Sequence, residues 1–363
     1  KSAEIGEVLE VKEIVAKFTT DVIASCAFGI QCNCLKDPDA EFRKWGKKIV
    51  ESRFEQILRD LLYITMPSLA IKLKISNTPN DITTFFRSLV QETVSFREKH
   101  CVSRKDFIQL LIQLKNGDNI VLLILTLDHD EYGNGMSISR IEYETKKAAP
   151  VFVLLIGGFE TSSTTISFCL YELALNKVIQ DRLRNEMDEV LKKHGGQITY
   201  EAVQEMEYLD NFKRREEICE TLRKYPPVSF LARECTKEYR IPDTNITVDK
   251  GVQIVIPNQA LQYDPQYFPE PEKFDPDRFR EDVSAKRHRF VYLPFGEGPR
   301  ICIGMRFGMM QTKVGLINLL LNYQFDVCYK TSIPLIKDPK QFITSSKHGI
   351  WLSISQRSLE THM

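Results

Sequence analysis

Phe295-Gly296-Glu297-Gly298-Pro299-Arg300-Ile301-Cys302-Ile303-Gly304 sets one cysteine inside a loop broken three times by glycine, just ahead of a Met- and Leu-rich stretch, Met305 to Leu321, that predicts a helix. Glycine leaves backbone room beside a large ligand and accepts turn conformations at little cost. A helix N-terminus offers unsatisfied N–H groups and the positive end of a dipole, and both favour a thiolate over a thiol. Phe295 can cover the sulfur. A lone cysteine at a loop-to-helix junction is more commonly a buried free thiol. The aromatic residue, the glycines, the arginine and the cysteine at these offsets together argue against that simpler fate.

The loop reads as a haem-thiolate ligand loop, with Cys302 as the iron ligand, Phe295, Gly296 and Gly304 shaping the space around it, and Arg300 reaching a haem propionate. On these residues the chain resembles the cytochrome P-450 monooxygenases, most closely the microsomal members abundant in insects. Three further motifs occur in the family's order: Gly157-Gly158-Phe159-Glu160-Thr161-Ser162, Glu220-Thr221-Leu222-Arg223 and Phe274-Asp275-Pro276-Asp277-Arg278-Phe279. The resemblance covers nearly all of the sequence. It implies a mainly α fold with minor β, the cytochrome P-450 fold lacking its N-terminal part, with residues 1–363 as a single haem-thiolate monooxygenase domain. Microsomal members begin with a membrane anchor, further helices and part of a small sheet, and none of these is expected here.

The 363 residues balance 49 basic against 49 acidic side chains, so no global charge draws the chain to nucleic acid, and DNA or RNA binding is disfavoured. Nine cysteines show no C-x-x-C spacing, and the C-x-C of Cys32 and Cys34 lacks a nearby histidine for zinc. They read as mostly reduced, buried thiols in a chain facing the cytosol. No stretch approaches the roughly 20 apolar residues of a bilayer span.

Apolar residues recur at helical spacing through Glu10 to Ala27, Phe54 to Leu73, Ile82 to Lys99 and Phe107 to Leu114. Asn119 to Met136 suits a loop or irregular hairpin and carries no functional reading. A long apolar helix is expected from about Pro150 to Asn176, then a charged amphipathic one from Ile179 to His194, closed by Gly195-Gly196. Beyond Pro226 short strands are expected at Phe230 to Cys235, Arg240 to Pro242, Ile246 to Val248 and Val252 to Ile256. A proline-rich meander follows, and Gln324 to Ser355 again looks strand-like.

Two adjacent glycines, Gly157 and Gly158, inside a helix cost about 1 kcal/mol each relative to alanine and point to a need for space. The resemblance makes this the helix that crosses the distal haem face, with Glu160 and Thr161 as an acid–alcohol pair that manages protons during oxygen cleavage. Close helix packing explains the same residues as well. Glu220 and Arg223 share a helix face, and the pair gains meaning only if Arg278 joins it as a buried ionic lock, as the family motif implies. Arg233 matches a propionate-binding position, the alternative being a strand arginine paired with Glu234 or solvent. Val153 to Phe159, Val228 to Leu231 and Thr344 to Gly349 resemble substrate-recognition segments and favour a hydrophobic small molecule. Lys286, Arg287, His288, Arg289, Arg300, Arg306 and Lys313 gather around the cysteine loop, as an ordinary solvated loop or as a docking face for an acidic flavoprotein reductase.

The resemblance therefore implies haem b (iron protoporphyrin IX) held by Cys302, and NADPH electrons arriving through an NADPH-cytochrome reductase. One oxygen atom of O2 enters a lipophilic substrate, xenobiotic or endogenous. The expected setting is the cytosolic face of the endoplasmic reticulum membrane in the full-length form. Rival readings are a truncated, inactive or haem-poor remnant acting at most as a binding protein, and a haem-thiolate isomerase or dehydratase that needs no oxygen. Two departures from the family pattern stand out. Pro150 is expected to start the distal helix near Ala149 or to kink it, at about 3 kcal/mol if interior. The link from Asn211 to Cys219 is longer and more charged than the family's.

Overall fold

A computed structural model describes residues 6–50, 79–115, 140–208 and 216–357, with single positions between 59 and 75. The chain divides into two compact units, Ala16–Glu160 on one side and Lys1–Val15 with Thr161–Met363 on the other. Helices dominate and the strands are short, so the mainly α class with minor β holds.

In the unit Ala16–Glu160, α1 (Val11–Ile23) continues into a π turn, Ala24–Phe28, that Gly29 closes at φ +70°. Then come α2 (Glu41–Val50), α3 (Asn80–His100) and α4 (Phe107–Lys115). Ile82, Phe86, Val90 and Val94 repeat every fourth residue, and that stripe is the buried face of α3. Phe28, Phe42 and Phe86 pack edge to face or tilted, with ring centroids 5.1 to 6.2 Å apart. Arg97 makes a two-pronged ion pair with Asp106 at 2.7 and 2.5 Å, and Asp106 Oδ1 accepts the Gln109 N–H, capping α4.

In the other unit, α5 (Arg140–Leu175) beyond Thr161 is buried on every side, with Ile166, Phe168, Cys169, Leu170 and Leu173 wholly enclosed. The amphipathic α6 (Lys177–Lys193) ends where Gly195 and Gly196 take φ +64° and +77°, and the Gly196 N–H returns to the Leu191 carbonyl at 2.8 Å. After α7 (Tyr200–Tyr208) and α8 (Glu216–Lys224), strands β2 (Leu231–Glu234) and β5 (Gln253–Ile256) pair antiparallel, and β3 (Tyr239–Arg240) pairs with β4 (Thr247–Val248). A third sheet has the order β1 (Val8–Glu10), β7 (Trp351–Gln356), β6 (Tyr323–Asp326). Its alternate residues Leu352 and Ile354 turn inward, and Ile354 lies opposite buried Phe325. Helix α9 (Asn258–Tyr263) lies against α8, and α10 (Met305–Asn322) leads into β6.

Several expectations change. Helix α5 runs from Arg140 through Pro150, so the proline does not start it. A proline forfeits one hydrogen bond and crowds one carbonyl, a local cost of about 3 kcal/mol. Fully buried Leu155 and Phe159 just beyond it offset that, at about 1.5–3 kcal/mol for each such side chain. Helices α2 and α7 were not marked by apolar periodicity. The segment Gln324 to Ser355 holds strands only at its two ends. Most of Phe54 to Leu73, all of Asn119 to Met136 and most of the charged link from Asn211 lie outside the described residues.

Candidate active site

The cysteine loop is built by its own backbone. Gly296 at φ +71° and Gly298 at φ +77° occupy the left-handed region that other residues rarely take. Their turns bring the Cys302 N–H to the Phe295 carbonyl at 2.8 Å, closing the loop. Gly304 is the N-cap of α10, and the Gly308 N–H reaches its carbonyl at 2.7 Å. Cys302 thus stands just ahead of the helix, exposed, between the exposed apolar side chains of Ile301 and Ile303. Its surroundings push the thiol's pKa up, and the Gly304 backbone N–H bonded to the sulfur pulls it down.

One guanidinium group borders this loop, that of Arg233, and Arg300 belongs to the loop itself, its side chain exposed. Arg233, on β2, has Nη2 only 3.8 Å from where a side-chain carbon at Gly296 would stand, and the Arg300 carbonyl is 3.7 Å from the same point. Arg233 donates to its neighbour's carbonyl, Ala232 O, at 2.8 Å. Glu234, its suggested carboxylate partner, instead accepts from Gln253 at 3.1 Å on the adjoining strand. Neither Arg233 nor Arg300 has an ion pair among the described residues.

In the motif around Glu220, every nitrogen of Arg223 is used. Arg223 Nε and Nη2 each donate to Glu220 at 2.8 Å, and its other donors reach the Gln262 and Pro271 carbonyls at 3.0 and 2.8 Å. Arg278 Nε lies 3.5 Å from Glu220 Oε1, which also accepts the Asp275 N–H at 3.0 Å. Glu220 and Arg223 are wholly enclosed. Burial pushes the Glu220 carboxyl's pKa up, against the downward pull of Arg223, the Asp275 N–H and Arg278. This is the lock expected from the two separated motifs.

On α5 the two glycines differ. A side-chain carbon at Gly158 would run into Ile23 of α1, 2.5 Å away, so Gly158 serves close helix packing. One at Gly157 would meet nothing within 4 Å, and Gly157 is exposed. Glu160 is buried and Thr161 half-buried, and the Thr161 carbonyl accepts the Thr165 hydroxyl at 2.9 Å. The Thr19 hydroxyl of α1 donates to the Phe159 carbonyl at 2.9 Å, a contact that no sequence pattern flagged.

The family model for Cytochrome P450 matches residues 1–352 of this chain. The chain belongs to the cytochrome P450 family. It is 44% identical over 358 residues to "Probable cytochrome P450 6a14" of Drosophila melanogaster, covering 98% of this chain and 68% of that relative. "Cytochrome P450 6a2" of the same organism is 42% identical over 356 residues, covering 98% of this chain and 67% of that relative. The chain therefore spans about two thirds of the length of these relatives. Family membership makes it a haem-dependent monooxygenase, an oxidoreductase.

The residues present fit a cytochrome P450 haem. A propionate-bearing ring needs cationic donors not already spent, and Arg233 and Arg300 are such donors beside the loop. An accessible thiol flanked by Ile301 and Ile303 suits an apolar plate. Two of the three segments likened to substrate-recognition regions are tied together through the residues that flank them. Thr344 donates its hydroxyl to the Pro226 carbonyl at 2.5 Å and its N–H to the Pro227 carbonyl at 2.9 Å, and Phe230 packs edge-on to Phe342 with centroids 6.4 Å apart.

Of the basic residues near the loop, Lys286, His288, Arg289, Arg300 and Arg306 are exposed, and Arg289 lies 3.4 Å from Glu297. Two belong to the interior instead. Lys313 is buried in α10, and Arg287 stacks 4.2 Å from the Phe268 ring while donating to the Tyr267 and Arg278 carbonyls. A charge count along the chain cannot see which long side chains fold back onto aromatic rings. Among the described residues no helix is long and apolar enough to cross a membrane.

Proposed function

We propose that the chain inserts one oxygen atom of O2 into a lipophilic small molecule, the second oxygen leaving as water, with electrons from NADPH passed on by a reductase. Bound haem supplies the iron at which dioxygen is activated. Cys302 would hold the iron through its thiolate, the donor type that makes O–O cleavage at a haem easier. Arg233 and Arg300 hold the propionates, and Gly296, Gly304 and Phe295 keep the loop open to the ring. Gly157 and Gly158 leave room along the distal helix. Glu160 would take up protons from solvent and the Thr161 hydroxyl would hold them for the oxygen chemistry that the haem supplies.

Lys286, His288, Arg289 and Arg306 form the face that meets an acidic reductase, and the protein works at the cytosolic side of the endoplasmic reticulum membrane. The observation that carries this reading is the exposed Cys302 thiol in a glycine-turned loop that contains Arg300 and is bordered by the Arg233 guanidinium, neither arginine with a carboxylate partner among the described residues. The test is the reduced carbon-monoxide difference spectrum, followed by NADPH-dependent turnover of lipophilic probes with a reductase. A thiolate-type Soret band with reductase-dependent oxygenation supports the reading. Spectral competence with turnover that ignores O2 and reductase points to the isomerase or dehydratase class. Thr161→Ala is expected to keep the band while diverting NADPH consumption into peroxide.

A further inference from the structure

Away from the cysteine loop, Asp21, Cys32 and Cys34 bring one carboxylate oxygen and two sulfurs within 4.8 Å of one another. Helix α1 supplies the carboxylate, and the chain between its closing π turn and α2 supplies both thiols. Asn33 stands between them at φ 51°, a turn that brings both sulfurs round to the same carboxylate. One Asp21 oxygen is fixed by the Cys34 N–H at 2.8 Å, which orients the carboxylate, and the Cys34 thiol is hydrogen-bonded to the same side chain. Cys34 is wholly enclosed, whereas Asp21 and Cys32 are half-buried and give solvent a way in.

We propose that Asp21, Cys32 and Cys34 bind a thiophilic divalent cation of the zinc class, water completing a tetrahedral shell. Ligand bonds of about 2.3 Å to sulfur and 2.0–2.2 Å to oxygen place tetrahedral donors roughly 3.5–3.8 Å apart, within the range these atoms already occupy. On binding, the two thiols release their protons to solvent and no electrons move. Two thiolates and a carboxylate exceed the ion by one negative charge; burial and the neighbouring Asp21 push the Cys34 thiol up in the metal-free chain, and the buried Arg43 guanidinium on α2 pulls it down. The ion ties the loop before α2 to α1 and stiffens this unit independently of the haem.

The test is zinc binding by the haem-loaded full chain, reduced and dialysed, where Cys302 is already taken by iron. Zinc content is measured together with alkylation of each cysteine, mapped by mass spectrometry. The expected result is one tightly held zinc that protects Cys32 and Cys34 from alkylation. Cys32→Ser and Cys34→Ser should abolish that ion, and Asp21→Asn should weaken it at least about tenfold. Cys26→Ser and Cys101→Ser, at exposed positions, should leave it unchanged. If enclosed Cys34 does not tolerate serine, the half-buried Cys32→Ser decides alone. A wild-type chain that retains no zinc, or zinc retained equally by Cys32→Ser without protection of Cys34, overturns the proposal.

Discussion

The Glu220–Arg223–Arg278 lock and the Cys302 loop both rely on arginine, and they differ in what the guanidinium groups have left to give. In the lock, Arg223 spends its donors on one carboxylate and on the carbonyls of enclosed Gln262 and half-buried Pro271. At the loop, Arg233 reaches only the carbonyl beside it, and its expected partner Glu234 is turned to Gln253. A satisfied, buried guanidinium holds a fold together, because losing one partner leaves a charge where water cannot reach it. An unpaired one beside an accessible thiol keeps its donors for an anion that arrives with a ligand.

The sharpest way to break this comparison is to exchange the consequences of mutation. Cys302→Ser should abolish the thiolate-type carbon-monoxide spectrum and all turnover, while unfolding of the haem-free chain shifts by no more than about 0.5 kcal/mol, since the side chain is exposed. Glu220→Ala should do the reverse, costing about 3–5 kcal/mol of stability in denaturant unfolding because Arg223 and Arg278 lose their shared carboxylate. A Glu220→Ala protein that unfolds like wild type would remove the lock from the account. A Cys302→Ser protein with an unchanged spectrum would do the same to the ligand loop.

Much of this division was legible in the sequence because it is carried by local backbone chemistry. Gly296 and Gly298 take the left-handed turns that only glycine takes cheaply, and Cys302 falls ahead of α10 as the loop demands. The lock was legible only through two separated motifs read together, since Glu220 and Arg223 alone resemble any surface pair. What the residues did not announce depends on contacts between distant segments. Gly158 meets Ile23, a packing need that sequence cannot tell from the open space beside Gly157. Asp21 lies 13 positions before Cys34, and only the fold of the intervening turn joins them. For the same reason a charge pattern cannot announce that Lys313 is buried and that Arg287 is half-buried against the Phe268 ring.

Arg233→Ala sharpens the contrast at intermediate size. A charge-assisted hydrogen bond is worth about 1.5–3 kcal/mol, so haem affinity, followed by transfer to apomyoglobin, should fall about 10- to 100-fold. Unfolding of the haem-free chain should stay within about 0.5 kcal/mol of wild type, because the side chain makes no ion pair to lose. Arg233→Lys, which keeps the charge but not the planar fork, should lie between. Were Arg233→Ala to destabilise the haem-free chain as Glu220→Ala does, Arg233 would belong with the lock.

The smallest effect separates backbone strain from ligand contact in the loop itself. At Gly296 a side-chain carbon would meet the Arg300 carbonyl at 3.7 Å and Arg233 Nη2 at 3.8 Å, both ordinary contacts, so space does not forbid alanine there. The φ of +71° does, at about 1–2 kcal/mol for an L-residue. Gly296→Ala should therefore lose that amount, and Gly296→Asn should lose less, since asparagine visits this region more readily. Because the loop must hold the same turn with or without haem, the loss should be equal in the two forms when each is measured by denaturant unfolding. A loss confined to the haem-bound form would mean that the glycine serves the porphyrin by close approach. A loss confined to the haem-free form would mean that haem imposes a different turn on the loop.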